Sequence, residues 1–142
     1  MAAPQLLDRV FAYGTLRPCH APSALAPLLG RASSLGAASV PGLLYDLGAY
    51  PAATLPADGL PESWVHGEVL RFAGPMSWLD ALDAYEGFNP ASRETSLFVR
   101  DPCTATLRSG QRVRCWIYLY RGTPPADAQI ASGRWVGPSL LR

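Results

Sequence analysis

The chain contains no lysine: all 12 of its basic residues are arginine, set against 11 acidic residues for a formal charge of +1. Charged residues make up only 16%, too few for a chain held open by its own charge, which excludes a disordered acidic or basic polypeptide. The arginines are scattered from Arg9 to Arg142, with the tightest group at Arg108, Arg112 and Arg114. They build no net positive face of the kind that nucleic acid requires. Pro, Gly or a charge interrupts every apolar stretch before it reaches the ~18–20 residues of a membrane helix. The opening MAAPQLLDRVF has neither a basic n-region nor a long apolar h-region, so no secretory signal is expected. The three cysteines, Cys19, Cys103 and Cys115, lack metal-type spacing, and an odd number without a signal points to reduced thiols. These absences predict a cytoplasmic, soluble protein, one domain over 1–142, with no nucleic-acid and no membrane partner.

What is present is punctuation. The 14 prolines and 13 glycines stand between short apolar runs, which favours many short elements over a few long helices. Strands are predicted at Arg9–Tyr13, Ser39–Tyr45, Trp64–Phe72, Thr95–Val99, Cys103–Leu107 and Arg112–Tyr120. Ser109-Gly110 makes the last two an antiparallel hairpin, which could bring Cys103 near Cys115. Along Arg112–Tyr120, Val113, Cys115, Ile117 and Leu119 alternate with Arg114, Trp116, Tyr118 and Tyr120. Bulk on both faces implies a strand covered on both sides or lining a pocket. Helices are predicted at Pro22–Leu29 and Pro75–Glu86, the second with Pro at its first position and Gly87 just past its end. Thr123–Arg142 reads as an irregular C-terminal segment that Ile130 and Trp135 could anchor. The simplest architecture is an α+β domain around a curved, mostly antiparallel sheet.

Three segments could carry chemistry. At about 100° per residue, Trp78, Leu79, Leu82 and Tyr85 share one arc of the second helix. Asp80 and Asp83 then face water, whereas Glu86 turns toward the apolar side. Burial and the negative end of the helix dipole both raise the pKa of such a carboxyl, as proton transfer near neutral pH requires. The alternative is a head group that reaches solvent from the edge of the apolar face. Phe11-Ala12-Tyr13-Gly14-Thr15-Leu16-Arg17 runs a strand into a glycine corner, where successive N–H groups can form an anion-binding nest or merely a turn. Leu44–Ala52, with Gly48 and Tyr50-Pro51, could wall a small-ligand pocket or simply pack on the sheet. His20 and His66 are isolated, and neither a nucleophile elbow nor a phosphate loop is present.

Taken in order, these segments resemble the γ-glutamylcyclotransferase-like superfamily, in its AIG2-like branch. The resemblance rests on Phe11–Arg17, Leu44–Gly48 with Tyr50-Pro51, Val65–Leu70, Leu82–Phe88, Trp116–Tyr120 and Ile130–Trp135. It implies a small β-barrel-like sheet flanked by short helices. It carries a substrate-binding loop onto Tyr13, Gly14, Thr15 and Leu16, a catalytic acid/base onto Glu86, and a pocket-lining aromatic onto Tyr120. The implied chemistry is release of 5-oxoproline from a small-molecule γ-glutamyl amine, amide or peptide, with no metal and no organic cofactor. Two other readings stay open: a non-catalytic module that binds a small ligand or a partner, and a thiol enzyme using Cys19.

Overall fold

The computed structural model describes residues 7–14, 26–55, 63–75 and 77–135. Seven strands and two helices are described: β1 (Arg9–Ala12), α1 (Ala26–Leu29), β2 (Ala32–Pro41), β3 (Leu43–Asp46), β4 (Pro51–Thr54), β5 (Trp64–Phe72), α2 (Ser77–Glu86), β6 (Phe98–Leu107) and β7 (Arg112–Tyr120). Five strands close a barrel in the order β1-β5-β2-β6-β7, and β3 and β4 form a separate two-stranded sheet. Every barrel pair is antiparallel except β1 with β7, which closes the ring in parallel through Val10 and Trp116.

Alternation along the strands supplies two apolar layers. Val113, Cys115, Ile117 and Leu119 point into the barrel with Phe11, Val40, Val65 and Val69. Tyr118 faces the other way, joining Val10, Ala12, Leu70 and Phe72 beneath Trp78, Leu79 and Leu82 of α2. β7 is therefore covered on both faces, and α2 is held against the outside of the barrel wall.

Several element boundaries differ from the sequence reading. Ser39–Tyr45 is two strands, because the chain leaves the barrel after Pro41, where it pairs with Trp64, and re-pairs from Leu43 with Thr54. β4 and the first half of β2 were not expected; they are short or rich in Ala, Ser and Gly, so they carry little apolar alternation. Conversely, Thr95–Val99 and Cys103–Leu107 merge into β6, which begins only at Phe98 because Arg93–Thr95 is a single 3-10 turn. Pro102 is tolerated inside β6 because that strand meets β2 only at Thr106 and Leu107, leaving an edge around the proline. Of the first helix only Ala26–Leu29 is described, and Pro22 lies outside the described residues.

The hairpin brings Cys103 opposite Cys115 with sulfurs 3.6 Å apart. The C-terminal segment is irregular but anchored. Gln129 bridges to Tyr45, the Ile130 N–H donates to the Leu44 carbonyl, and Trp135 is buried in the barrel core.

Candidate active site

α2 ends in a way that determines where Glu86 sits. Gly87 adopts φ 71°, a left-handed residue that only glycine takes without strain. The Phe88 N–H donates to the Asp83 carbonyl and the Gly87 N–H to that of Ala84. These two bonds form the paired C-terminal cap that stops a helix sharply. Glu86 is thereby the last helical residue, at the negative end of the dipole.

The buried face of α2 is Trp78, Leu79, Leu82 and Asp83, whereas Tyr85 is exposed. Measured from the centre of that set, at about 100° per residue, Glu86 lies only about 10° away. Asp80 is exposed, as the sequence suggests. Asp83 is not: the expectation that it faces water is wrong. The Arg100 guanidinium donates to its carboxylate through Nε at 2.8 Å and Nη2 at 3.2 Å, and the Tyr118 hydroxyl donates at 2.7 Å. Arg100 itself lies 4.2 Å over the Trp116 ring. A paired carboxylate with two partners can be buried where a lone one cannot.

A cavity of about 280 Å³ opens where four parts of the fold meet. Phe11, Tyr13 and Gly14 come from β1 and its end, and Ala49, Tyr50 and Pro51 from the turn into β4. Tyr85 and Glu86 come from α2, while Leu97, Phe98 and Tyr118 come from β6, β7 and the residue before β6. The Tyr13 hydroxyl donates to the Tyr118 carbonyl, which ties the β1 corner to β7. Both phenols are thus already committed as donors, one to a carbonyl and the other to Asp83.

Glu86 differs. It is partly buried at the cavity wall, and burial pushes its carboxyl up to about 8. No described residue hydrogen-bonds or ion-pairs with that carboxyl. Its charge is felt by both tyrosines. Burial first and Glu86 second raise the Tyr13 phenol, partly opposed by the Ala53 backbone. The Tyr118 phenol is raised by burial, then by Asp83 and Glu86, against Arg100.

Tyr13, Gly14 and Glu86 therefore share one cavity. Thr15, Leu16, Arg17 and Cys19 lie outside the described residues. Tyr120 does not line the cavity; it packs edge-on against Phe98, which does, with ring centroids 5.6 Å apart. Gly14 has a packing reason of its own, since a Cβ there would stand 2.7 Å from Pro51 Cδ and closer still to Cγ. Sequence reasoning missed Asp83, Arg100 and Tyr118. A signal existed in the i, i+3, i+4, i+7 spacing of Leu79, Leu82, Asp83 and Glu86, which puts two acids on one helical stripe. Among the described residues, no group of three or more His, Cys, Asp or Glu side chains could hold a metal, and no helix is long and apolar enough to cross a membrane.

The family profile described as gamma-glutamyl cyclotransferase, AIG2-like, matches residues 10–137. Among solved structures, YkqA from Bacillus subtilis superposes with a TM-score of 0.65 at 21% identity, over 92% of this chain. The chain spans only 40% of the length of YkqA. An AIG2-like protein from Mus musculus gives a TM-score of 0.60 at 19% identity, over 85% of this chain and 82% of the mouse one. A structure described as a gamma-glutamyl cyclotransferase gives 0.56 at 16%, over 84% and 72%. At such identities the structural likeness speaks to the fold. Comparison with curated protein sequences finds no match.

Proposed function

The chain belongs to the gamma-glutamyl cyclotransferase, AIG2-like family, and from that premise we propose that it releases 5-oxoproline from a small-molecule γ-glutamyl compound, with Glu86 as general acid and base. The observation that carries this reading is a partly buried carboxyl without a described partner, facing the cavity that the Gly14 corner also lines.

In a γ-glutamyl compound the α-amine and the γ-carbonyl belong to one molecule, so attack closes a five-membered ring. A cavity that selects the folded conformer adds orientation to a reaction that is already intramolecular. The α-ammonium cannot attack until it loses a proton, and ionised Glu86 accepts it. The nitrogen then bonds to the γ-carbon, and the carbonyl electrons move onto oxygen. As they return, the bond to the departing amine breaks, with Glu86 returning a proton to that nitrogen. Of the three ammonium protons, one stays on the lactam nitrogen and two end on the released amine as its own ammonium forms.

A carboxyl near 8 is about a tenth ionised at pH 7, yet it matches an ammonium far better than an ordinary glutamate would. Proton transfer between groups of similar pKa is the efficient case. Tyr13, Gly14, Thr15 and Leu16 form the substrate loop in this proposal, their backbone N–H groups holding the substrate carboxylate or the tetrahedral oxyanion. Tyr120, one layer behind Phe98, would act only by supporting that wall.

The test is a panel of γ-glutamyl amines, amides and dipeptides assayed for 5-oxoproline, with the unaltered chain and Glu86→Gln. The expected result is release by the former and a loss of at least ~10²-fold in the folded variant, the low end for general acid–base catalysis. Equal turnover by Glu86→Gln removes the assigned role. No release from any compound favours a binding module on the same fold.

A further inference from the structure

Two thiols stand together away from the cavity. Cys103 of β6 and Cys115 of β7 are opposed in register, and their sulfurs lie 3.6 Å apart. Both are free, and neither lines the cavity. They pack in the barrel core with Ala105, Val113 and Ile117. The two sulfurs are already in contact, so a bond of about 2.05 Å needs a closure of only ~1.5 Å, shared between two strands.

The two differ in access. Cys115 is fully enclosed, whereas Cys103 is half-buried. β6 pairs with β2 only at Thr106 and Leu107, so at Cys103 its one described strand partner is β7, and its other edge is open beside the exposed Pro102. That edge admits a small reagent to the Cys103 sulfur and leaves the strand room to approach its neighbour. The hydrogen bond from Cys103 favours the Cys115 thiolate, aided by the Ala105 backbone and by the Arg114 and Arg9 charges, against burial. Passage of the shared proton across 3.6 Å moves that charge to Cys103, where an oxidant can reach it.

We propose that Cys103 and Cys115 are a redox modification site, oxidised by a low-molecular-weight disulfide to an intramolecular disulfide that staples the β6–β7 hairpin. Cys103, as its thiolate, attacks one sulfur of the reagent, RSSR. A mixed disulfide forms, the S–S bond of the reagent breaks and RS⁻ leaves. Cys115 then gives up its proton, and its sulfur attacks that of Cys103 and displaces the second RS⁻. The protein loses two electrons and two protons, which end on two molecules of RSH. The new bond restricts the unfolded chain by closing a short loop. The same hairpin sets Arg100 opposite Tyr118, the two residues that hold Asp83 and with it α2. Oxidation therefore acts on stability, and it does not depend on the chemistry proposed for Glu86.

The experiment incubates the folded full chain, Cys103→Ser and Cys115→Ser with hydroxyethyl disulfide, blocks the remaining thiols and maps tryptic peptides by mass. In the full chain, peptides 101–108 and 115–121, which hold the two cysteines, should appear joined, and mercaptoethanol should separate them. The oxidised chain should melt several degrees above the reduced one. Cys115→Ser should stop at the mixed disulfide on Cys103, and Cys103→Ser should leave the enclosed Cys115 unmodified. The full chain alone decides the matter if either variant does not fold. A mixed disulfide that persists on Cys103, a link to Cys19 instead, or a link that forms only in urea would overturn the site. A joined chain that melts no higher than the reduced one would overturn the staple.

Discussion

Asp83 and Glu86 stand one helical turn apart on α2, and their carboxyl groups have opposite fates. Asp83 is gripped by Arg100 and Tyr118, whereas Glu86 has no described partner and is pushed up to about 8 by burial. The division is physical. The carboxylate with two donors holds α2 to β6 and β7. The one left against an apolar wall is disfavoured in its charged form, which suits it to carry a proton near neutral pH.

The pH dependence of turnover follows. For kcat/KM, the rising limb should have its midpoint near 8, where Glu86 in the free enzyme loses its proton. Below it the rate should fall about tenfold per pH unit, and the decline at higher pH should belong to the substrate ammonium. A rate profile measured from pH 5 to 10 checks this. A rising limb centred near 4.5 would mean that the base is a carboxyl that burial does not raise.

Stability should carry the same signature with the opposite sign. In the folded chain Glu86 titrates near 8, and in the unfolded chain near 4.5. Below 4.5 both states hold the proton and nothing is lost. Between 4.5 and 8 the folded state binds more protons than the unfolded one, so the contribution of Glu86 declines as pH rises, then levels above 8. Glu86→Gln does not titrate. Its melting temperature relative to the parent should therefore rise between pH 5 and pH 8.5, and a constant difference would contradict the burial of the carboxyl.

Arg100→Met should cost about 3–5 kcal/mol, because it leaves Asp83 charged and enclosed with only Tyr118 as partner. Adding Asp83→Asn should recover much of the loss, since the orphaned charge disappears while the amide oxygen still accepts from Tyr118. Urea unfolding of the two single variants and the double one measures the coupling. A double variant no more stable than Arg100→Met would show that the pair matters for packing alone.

Gly14→Ala should destabilise the chain by about 1–3 kcal/mol, the range for overpacking, because its Cβ meets the Pro51 ring. Pro51→Ala removes the two atoms that collide and should restore part of that stability. The double variant in thermal unfolding therefore separates crowding from any loss of ligand binding at the same corner. Without that control, a bulkier residue at position 14 reports on Pro51 as much as on a binding nest.

Much of this was legible in the residues. Strong alternation marked β5 and β7 to their ends, and Gly87 marked the stop of α2, because these patterns are local consequences of strand pleat and helix capping. The family resemblance, carried by short ordered motifs, agreed with the barrel and with the match over residues 10–137. β4 and the start of β2 were invisible because Ala, Ser and Pro carry almost no periodic apolar signal; their pairing is supplied by neighbours distant in sequence.

By itself the amino-acid order determined where α2 and the strongly alternating strands could form and turned Glu86 toward the apolar side of α2, leaving open whether its head group reached solvent, since periodicity and capping act over a few residues. Tertiary structure decided which acid acquires partners. Asp83 lies inward only because Arg100 arrives from β6 and Tyr118 from β7 to meet it. It likewise brought Tyr13, Gly14 and Glu86 around one cavity. Burial and charge pairing depend on groups brought together from across the chain, and only closing the barrel and docking α2 on its wall brings them there.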